Sequence, residues 1–181
     1  VHAGRVTGVM TNHGHIPAGC TVVAAGAWSG ELLAPLGTRP AVEPVRGQMV
    51  LFRAPAGLIS HVLVRQKKYL IPRRDGRVLV GSTIEEVGFD KSTTDQALHE
   101  LGDEARRLVP KLAGCPVEHH WAGLRPGSPH GIPYIYEVPA VAGLYLNTGH
   151  FRNGVVLGFA SARLLADLML GHEPIVPPAP Y

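Results

Sequence analysis

Cysteine is nearly absent from this sequence: Cys20 and Cys115 are the two in 181 residues. They lie far apart with no paired spacing, which excludes a disulfide framework and a four-cysteine zinc site. Two reduced thiols in a cytoplasmic protein is the reading favoured. Charge is sparse as well, at 17% of residues against 45% hydrophobic. A chain of that balance buries a core and is neither a disordered tail nor a low-complexity scaffold. No apolar run approaches ~20 residues, so no integral membrane segment is expected. Lysine is scarce, four against thirteen arginines in a net charge of +3. A nucleic-acid binder tends to show a lysine-rich cluster or stripe. Here the arginines are scattered, apart from Arg73, Arg74 and Arg77 and the Arg106-Arg107 pair, so no nucleic-acid partner is expected. A mild basic balance fits an anionic small ligand equally well. GxGxxG, a Walker motif, a nucleophile elbow and a Ser-His-Asp order are all missing. His119 and His120 adjoin on a predicted strand and face opposite sides, and His13 and His15 have no third ligand in sight, so no metal is expected.

Glycine and proline are abundant, at 22 and 16, and point to many turns and strands. Residues 1–12 read as a strand or hairpin with no start signal and no signal peptide, followed by a turn at His13-Gly14-His15. Residues 21–25 (TVVAA) form a short continuous apolar run bounded by glycine, the pattern of a buried parallel strand. A short helix over residues 31–36 stops at Gly37. Strands follow at 42–53, 60–65, 68–72 and 77–82, with Asp75-Gly76 as the strongest hairpin signal of an antiparallel meander. TTDQ at 93–96 predicts a capping box with Thr93 as cap. Ala97, Leu98, Leu101, Ala105, Leu108 and Leu112 then make one helical stripe, with Glu100, Asp103, Glu104 and Arg107 off it. A strand at 117–124 runs into a fixed loop at 125–129, and a short strand at 144–147 into a turn at 148–153. The last helix, 154–170, is apolar nearly all round and should be buried, with Gly171 closing it. No internal repeat is visible.

Three places carry chemistry. In VVAAGAWSGELL a small-residue turn after a buried strand lets backbone approach a ligand closely. Arg125 of WAGLRP, stiffened by Trp121 and Pro126, offers a planar fork suited to a carboxylate; the alternative is a surface arginine in a salt bridge. Residues 148–154 (TGHFRNG) run into a helix whose free amides and partial positive charge suit an anionic or electron-rich group; the alternative is an ordinary cap by Asn153. Tyr69 of YLIPR stands on a strand, where tyrosine usually serves packing.

Together these segments are more specific than any one of them. AAGAWS, PVRGQ, YLIPR, VLVGSTIEEVGFDK, WAGLRP and TGHFRNGVVL stand in the order seen in the D-amino-acid-oxidase-like FAD-dependent oxidoreductases. The chain resembles that family from about Val6 to Gly171. Within it the GSTIEEVGFDKSTT and HFRNGVVL segments are most similar to the glycine-oxidase branch of the thiamine-biosynthesis type. Family members place a strand–GxGxxG–helix unit and a long stretch ahead of AAGAWS. The chain opens on Val1 without that unit, and the resemblance implies the C-terminal half of such an enzyme. Tyr136 stands where glycine is frequent, Cys20 where an acidic residue commonly precedes the strand, and Phe159 and Ala160 where a proline is often found.

The resemblance implies an α/β (α+β) fold. Residues 1–41 would belong to an FAD-binding domain, 42–125 to a substrate domain with an antiparallel sheet and a helix, and 126–173 to a return to the FAD domain, with 174–181 a loose tail. It implies that Arg125 grips a substrate carboxylate, that Tyr69 hydrogen-bonds the same carboxylate and that Arg152 is a second active-site arginine. Gly149, His150, Arg152, Asn153, Gly154 and Val155 would lie along the flavin, Ala25, Gly26 and Trp28 behind it, and Ile84 in the substrate pocket. The implied reaction oxidises the amine of glycine or a related small amino acid to the imine, by positioning alone and with no side-chain base. Dioxygen would be the acceptor, peroxide the second product, and thiazole synthesis the use of the imine. A D-amino-acid dehydrogenase or sarcosine-type oxidase is the rival within the class, and a non-catalytic fragment without FAD the rival outside it. Homo-oligomerisation of the complete enzyme stays open.

Overall fold

The computed structural model describes residues 1–181. In chain order its elements are β1 (Gly8–Thr11), β2 (Gly14–Pro17), β3 (Thr21–Val23), α1 (Ser29–Leu33), β4 (Glu43–Arg53), β5 (Leu63–Arg65), β6 (Lys68–Pro72), β7 (Arg77–Gly81), α2 (Asp95–Leu108), β8 (Val117–Gly127), β9 (Tyr134–Glu137), β10 (Leu144–Thr148) and α3 (Gly154–Leu170). This is a mixed α/β architecture. The chain divides into two compact units, Val1–Pro44 with Arg125–Tyr181, and Val45–Leu124.

In the first unit β1 and β2 form a hairpin in which Thr11 pairs with Gly14, so the turn lies at Asn12-His13 and Gly14 already opens the second strand. A three-stranded sheet runs in the order β3-β10-β9. β3 is parallel to β10 and β9 antiparallel to it. Side chains alternate across this sheet. Val23, Leu144 and Leu146 meet Leu33 of α1, while Ile135 and Tyr145 meet Leu164 and Leu165 of α3. The apolar run at 21–25 does make a parallel strand, but an edge one: β3 pairs only with β10, and Val22 is 40% exposed. β9 has no counterpart in the sequence reading; Pro133 and Pro139 flank the strand rather than interrupt it.

The last helix forms over the expected residues, and Gly171 ends it in the left-handed conformation at φ 67°. Its expected all-round burial does not hold. Ser161, Leu164, Leu165 and Asp167 are buried, whereas Val155, Val156 and Phe159 are 96%, 84% and 91% exposed. A helix laid on one sheet face buries one stripe, and an apolar flank beyond that stripe stays uncovered.

The second unit is built on a five-stranded sheet in the order β5-β6-β7-β4-β8. β5, β6 and β7 form the expected meander, with Arg73 to Gly76 as its second turn. β4, first in sequence, pairs with β7 instead of β5. One face presents Val50, Phe52, Leu70, Val78 and Val80 to Leu101, Ala105 and Leu112. The start of α2 differs from the capping box expected. Thr94, not Thr93, is the cap and accepts from the Ala97 amide at 3.3 Å. Gln96 turns along the helix to Glu100, and the reciprocal bond comes from Gln48 of β4, whose Oε1 accepts from the Thr94 amide at 2.9 Å. Glu104, expected off the apolar stripe, is buried. Arg107 and Arg65 Nη1, the latter at 3.1 Å, hold it. The Arg107 hydrogen bond leads in keeping its carboxyl below the usual value, against burial. β8 continues through residues 125–127, where a loop was expected, so Arg125 leaves the sheet later than its neighbours Pro126 and Gly127 suggest.

Candidate functional site

The sequence-predicted residues fall in both units. Ala25, Gly26, Trp28, Arg125 and residues 149–155 lie in the first, and Tyr69 and Ile84 in the second.

In the first unit β3 and β10 run parallel, and each ends in a small-residue turn that leads into a helix, α1 or α3. The space beyond the carboxyl ends of parallel strands is where such sheets take ligands. Thr148, the last residue of β10, joins the two turns. Its Oγ1 donates to the Gly26 carbonyl at 3.1 Å and accepts from Ser29 Oγ at 2.9 Å, both side chains being buried. The 149–153 turn is tied on its other side to the end of β8. The Phe151 amide donates to the Pro126 carbonyl at 2.9 Å, and Ser128 Oγ donates to the Gly149 carbonyl at 2.7 Å. Three separate sequence segments, AAGAWS, LRPGS and TGHFRNG, thus meet through hydrogen bonds.

Backbone conformation explains one of these residue types and marks strain at another. Gly149 has φ 82°, and a Cβ there would lie 3.2 Å from both Ser128 and Tyr134. Phe151 takes φ 48° without being glycine, a left-handed strain of about 1–3 kcal/mol that the surrounding bonds must hold. No side chain caps α3: Asn153 occupies the cap position, but its amide group makes no capping bond. The first-turn amides therefore face outward with the positive end of the helix, beside exposed Arg152, Asn153, Gly154 and Val155. His150 is turned the other way. Ser161 Oγ donates to Leu157 O at 2.9 Å, so His150 Nε2, 2.8 Å from that oxygen, carries the hydrogen and donates. Burial pushes its pKa below the ordinary 6.5. Arg125 is half-buried at the end of β8.

In the second unit Tyr69 of β6 and Met49 of β4 both stand opposite Gly81 of β7. A Cβ on Gly81 would lie 2.6 Å from Tyr69 Cζ and from Met49 Sδ, so the tyrosine ring occupies the space this glycine leaves free. Ile84, three residues on, is 47% exposed.

A family described as FAD dependent oxidoreductase matches residues 1–168. The chain belongs to the FAD dependent oxidoreductase family. Among its relatives, glycine oxidase of Pseudomonas aeruginosa is 56% identical over 177 residues, 98% of this chain and 49% of that protein. The bifunctional protein ThiO/ThiG of Synechocystis is 41% identical over 94% of this chain and 26% of its own length. The crystal structure of glycine oxidase from Geobacillus kaustophilus superposes with a TM-score of 0.89 at 33% identity, over 94% of this chain and 46% of that one. The chain spans about half the length of the glycine oxidases it matches.

The residues present fit the ring end of the family's cofactor. The uncapped α3 terminus suits an electron-rich edge, the glycine turns allow close backbone approach, and Val155 and Val156 add exposed apolar surface. Sequence reasoning named the turns but gave no role to Thr148, Ser29 or Ser128, which hold them together. The signal available was a hydroxyl residue bordering each small-residue turn. It also missed Gly81, whose role depends on strand register. No helix is long and apolar enough to cross a membrane.

Proposed function

We propose that this chain supplies the flavin-facing and amino-acid-binding half of an FAD-dependent oxidase that acts on glycine or a related small amino acid. The observation that carries the reading is the hydrogen-bonded meeting of residues 26–29, 126–128 and 149–151 around the uncapped start of α3. Residues 149–155 would hold the flavin ring edge, with Ala25, Gly26 and Trp28 behind it. Bound FAD supplies the two-electron acceptor. Arg125 binds the substrate carboxylate through its two-pronged guanidinium. Tyr69 adds a hydroxyl donor to the substrate, Arg152 a second positive charge, and Ile84 an apolar wall. Carboxylate binding orients the α-carbon, and orientation is the main service a protein gives when the cofactor does the chemistry. Dioxygen is the final acceptor, with hydrogen peroxide and the imine as products. Similarity to a ThiO/ThiG protein supports a place for the imine in thiazole synthesis. Free thiols at Cys20 and Cys115 suit the cytoplasm.

The test uses the FAD-loaded protein that contains this chain, with glycine, sarcosine and D-alanine as substrates and peroxide as the readout. Arg125→Ala is expected to lower kcat/KM for glycine by ~100-fold or more, since a charge-assisted pair contributes a few kcal/mol. Unchanged glycine turnover in that variant removes Arg125 from the site. Preference for another substrate, or no peroxide, reassigns the enzyme within its family.

A further inference from the structure

Arg46 is the second unit's buried cation, 4% exposed, on a strand otherwise given to the core. Residues alternate along β4, so Arg46 and Gln48 share a side with Val50 and Phe52. A guanidinium taken out of water is tolerated only where carboxylates and hydrogen bonds meet it. Arg46 has both. Nε and Nη2 donate to Glu85 Oε2 at 3.1 and 2.6 Å, and Nη1 donates to Asp90 Oδ2 at 2.6 Å and to Ser92 O and Oγ at 3.1 Å. Its backbone also pairs with Glu85 in both directions, at 2.8 and 3.0 Å.

Gln48 repeats the pattern. Its amide donates to Thr83 Oγ1 at 2.8 Å, and its Nε2 donates to Glu85 Oε1 at 3.0 Å and to Thr94 Oγ1 at 3.2 Å. Thr83 Oγ1 donates in turn to Glu85 Oε1. Burial alone would raise the Glu85 carboxyl's pKa, but hydrogen bonds from Thr83, Arg46 and Gln48 outweigh it and hold the group ionised. The segment between β7 and α2 therefore has both feet fixed to the same two residues of β4. Ile84 sits between Thr83 and Glu85, which are held by side chain and backbone on either side of it. It is half-exposed and borders a cavity of about 520 Å³ that Lys68, Thr94 and Gln96 also line.

We infer that Arg46, together with Gln48, is a positioning residue for substrate selectivity: acting through Glu85, it fixes the Ile84 wall against which the substrate's side chain is sorted. This rests on the proposal that Ile84 belongs to the substrate pocket. The role needs arginine. Five donors in a rigid fork reach Glu85 and Asp90 at once, whereas a lysine ammonium is a point charge on a flexible stem.

The experiment compares Arg46→Lys with wild type in the FAD-loaded protein that contains this chain. A pocket that sorts substrates by one or a few methylenes discriminates by roughly 10–200-fold. Arg46→Lys is expected to reduce the kcat/KM preference for glycine over D-valine by about tenfold, mainly through a lower KM for D-valine. Hydrogen exchange, which needs no turnover, should show the amides of residues 83–85 exchanging about tenfold faster, as expected of locally opened structure. A purely structural role would lower Tm and leave the substrate preference where it was. An unchanged preference or unchanged exchange in the folded variant overturns the inference. Where Arg46→Lys does not fold, Glu85→Gln, which removes the carboxylate through which Arg46 grips the segment carrying Ile84, decides by the same two readouts. Wild-type protein that oxidises no amino acid overturns instead the functional reading on which the inference rests.

Discussion

In the second unit Leu101 reaches from α2 into a sheet face lined by Val50, Phe52, Leu70 and Val80, and all five are fully buried. In the first unit α3 lays Leu164 and Leu165 on its sheet in the same way, yet carries Val155, Val156 and Phe159 on an uncovered flank. The polar groups follow the same division. Arg46, Gln48 and Glu104 of the second unit are buried with partners on every side, while the start of α3 has no side-chain cap. One unit spends its apolar and polar surface internally and holds a wall in place. The other leaves backbone amides and apolar area unspent where its turns meet, and that is the surface a flat, partly anionic cofactor would need.

The largest effect that sharpens this comparison is expected at Leu101. Leu101→Ala removes a fully buried side chain from a closed core, and such deletions cost about 2–5 kcal/mol. Urea unfolding should show the loss, with the second unit opening first. A cost near zero would mean that this core is not closed.

A smaller effect separates the units by pH. His150 is neutral in the fold because burial lowers its pKa below 6.5. The stability it carries is fully present above that value and is lost as pH falls through the lower folded one, because the unfolded chain takes up the proton first. Glu104 and Glu85 also have lowered values, but from an ordinary 4.5, so their contribution persists until more strongly acid conditions. The urea midpoint should fall as pH drops below the ordinary 6.5 toward the lower folded value, and His150→Gln, which keeps a donor for Ser161 without titrating, should flatten the profile there. An equal fall in both proteins would assign the loss to other groups.

Local order was legible from the sequence, and long-range partnership was not. The Gly/Ala turns, the Asp75-Gly76 hairpin and the α2 stripe follow from rules that act within a few residues. Thr148 and Ser29 are 119 residues apart, and only the parallel pairing of β3 with β10 makes them neighbours. The capping box was a sound local reading that a tertiary competitor displaced, since Gln48 offers Thr94 both an acceptor and a donor. Glu104 looked solvent-facing because helical spacing ignores an arginine arriving from β5. Residues 149–155 were legible as a turn entering a helix, but the composition of α3 shows how much apolar area it carries and not which part of that area is covered.

That last point gives the smallest expected effect and the sharpest contrast. Phe159 is a larger apolar side chain than Leu101 and sits on a helix of similar regularity, yet it is 91% exposed. Surface substitutions generally stay within about 0.5 kcal/mol, so Phe159→Ser should leave the urea midpoint of this chain almost where it was. Its visible consequence should be reduced self-association in light scattering, because an exposed apolar patch is sticky. Should Phe159→Ser instead destabilise as much as Leu101→Ala, the flank of α3 is covered in solution, and the contrast between a unit that closes on itself and one that presents a surface would fail at the residue where it is largest.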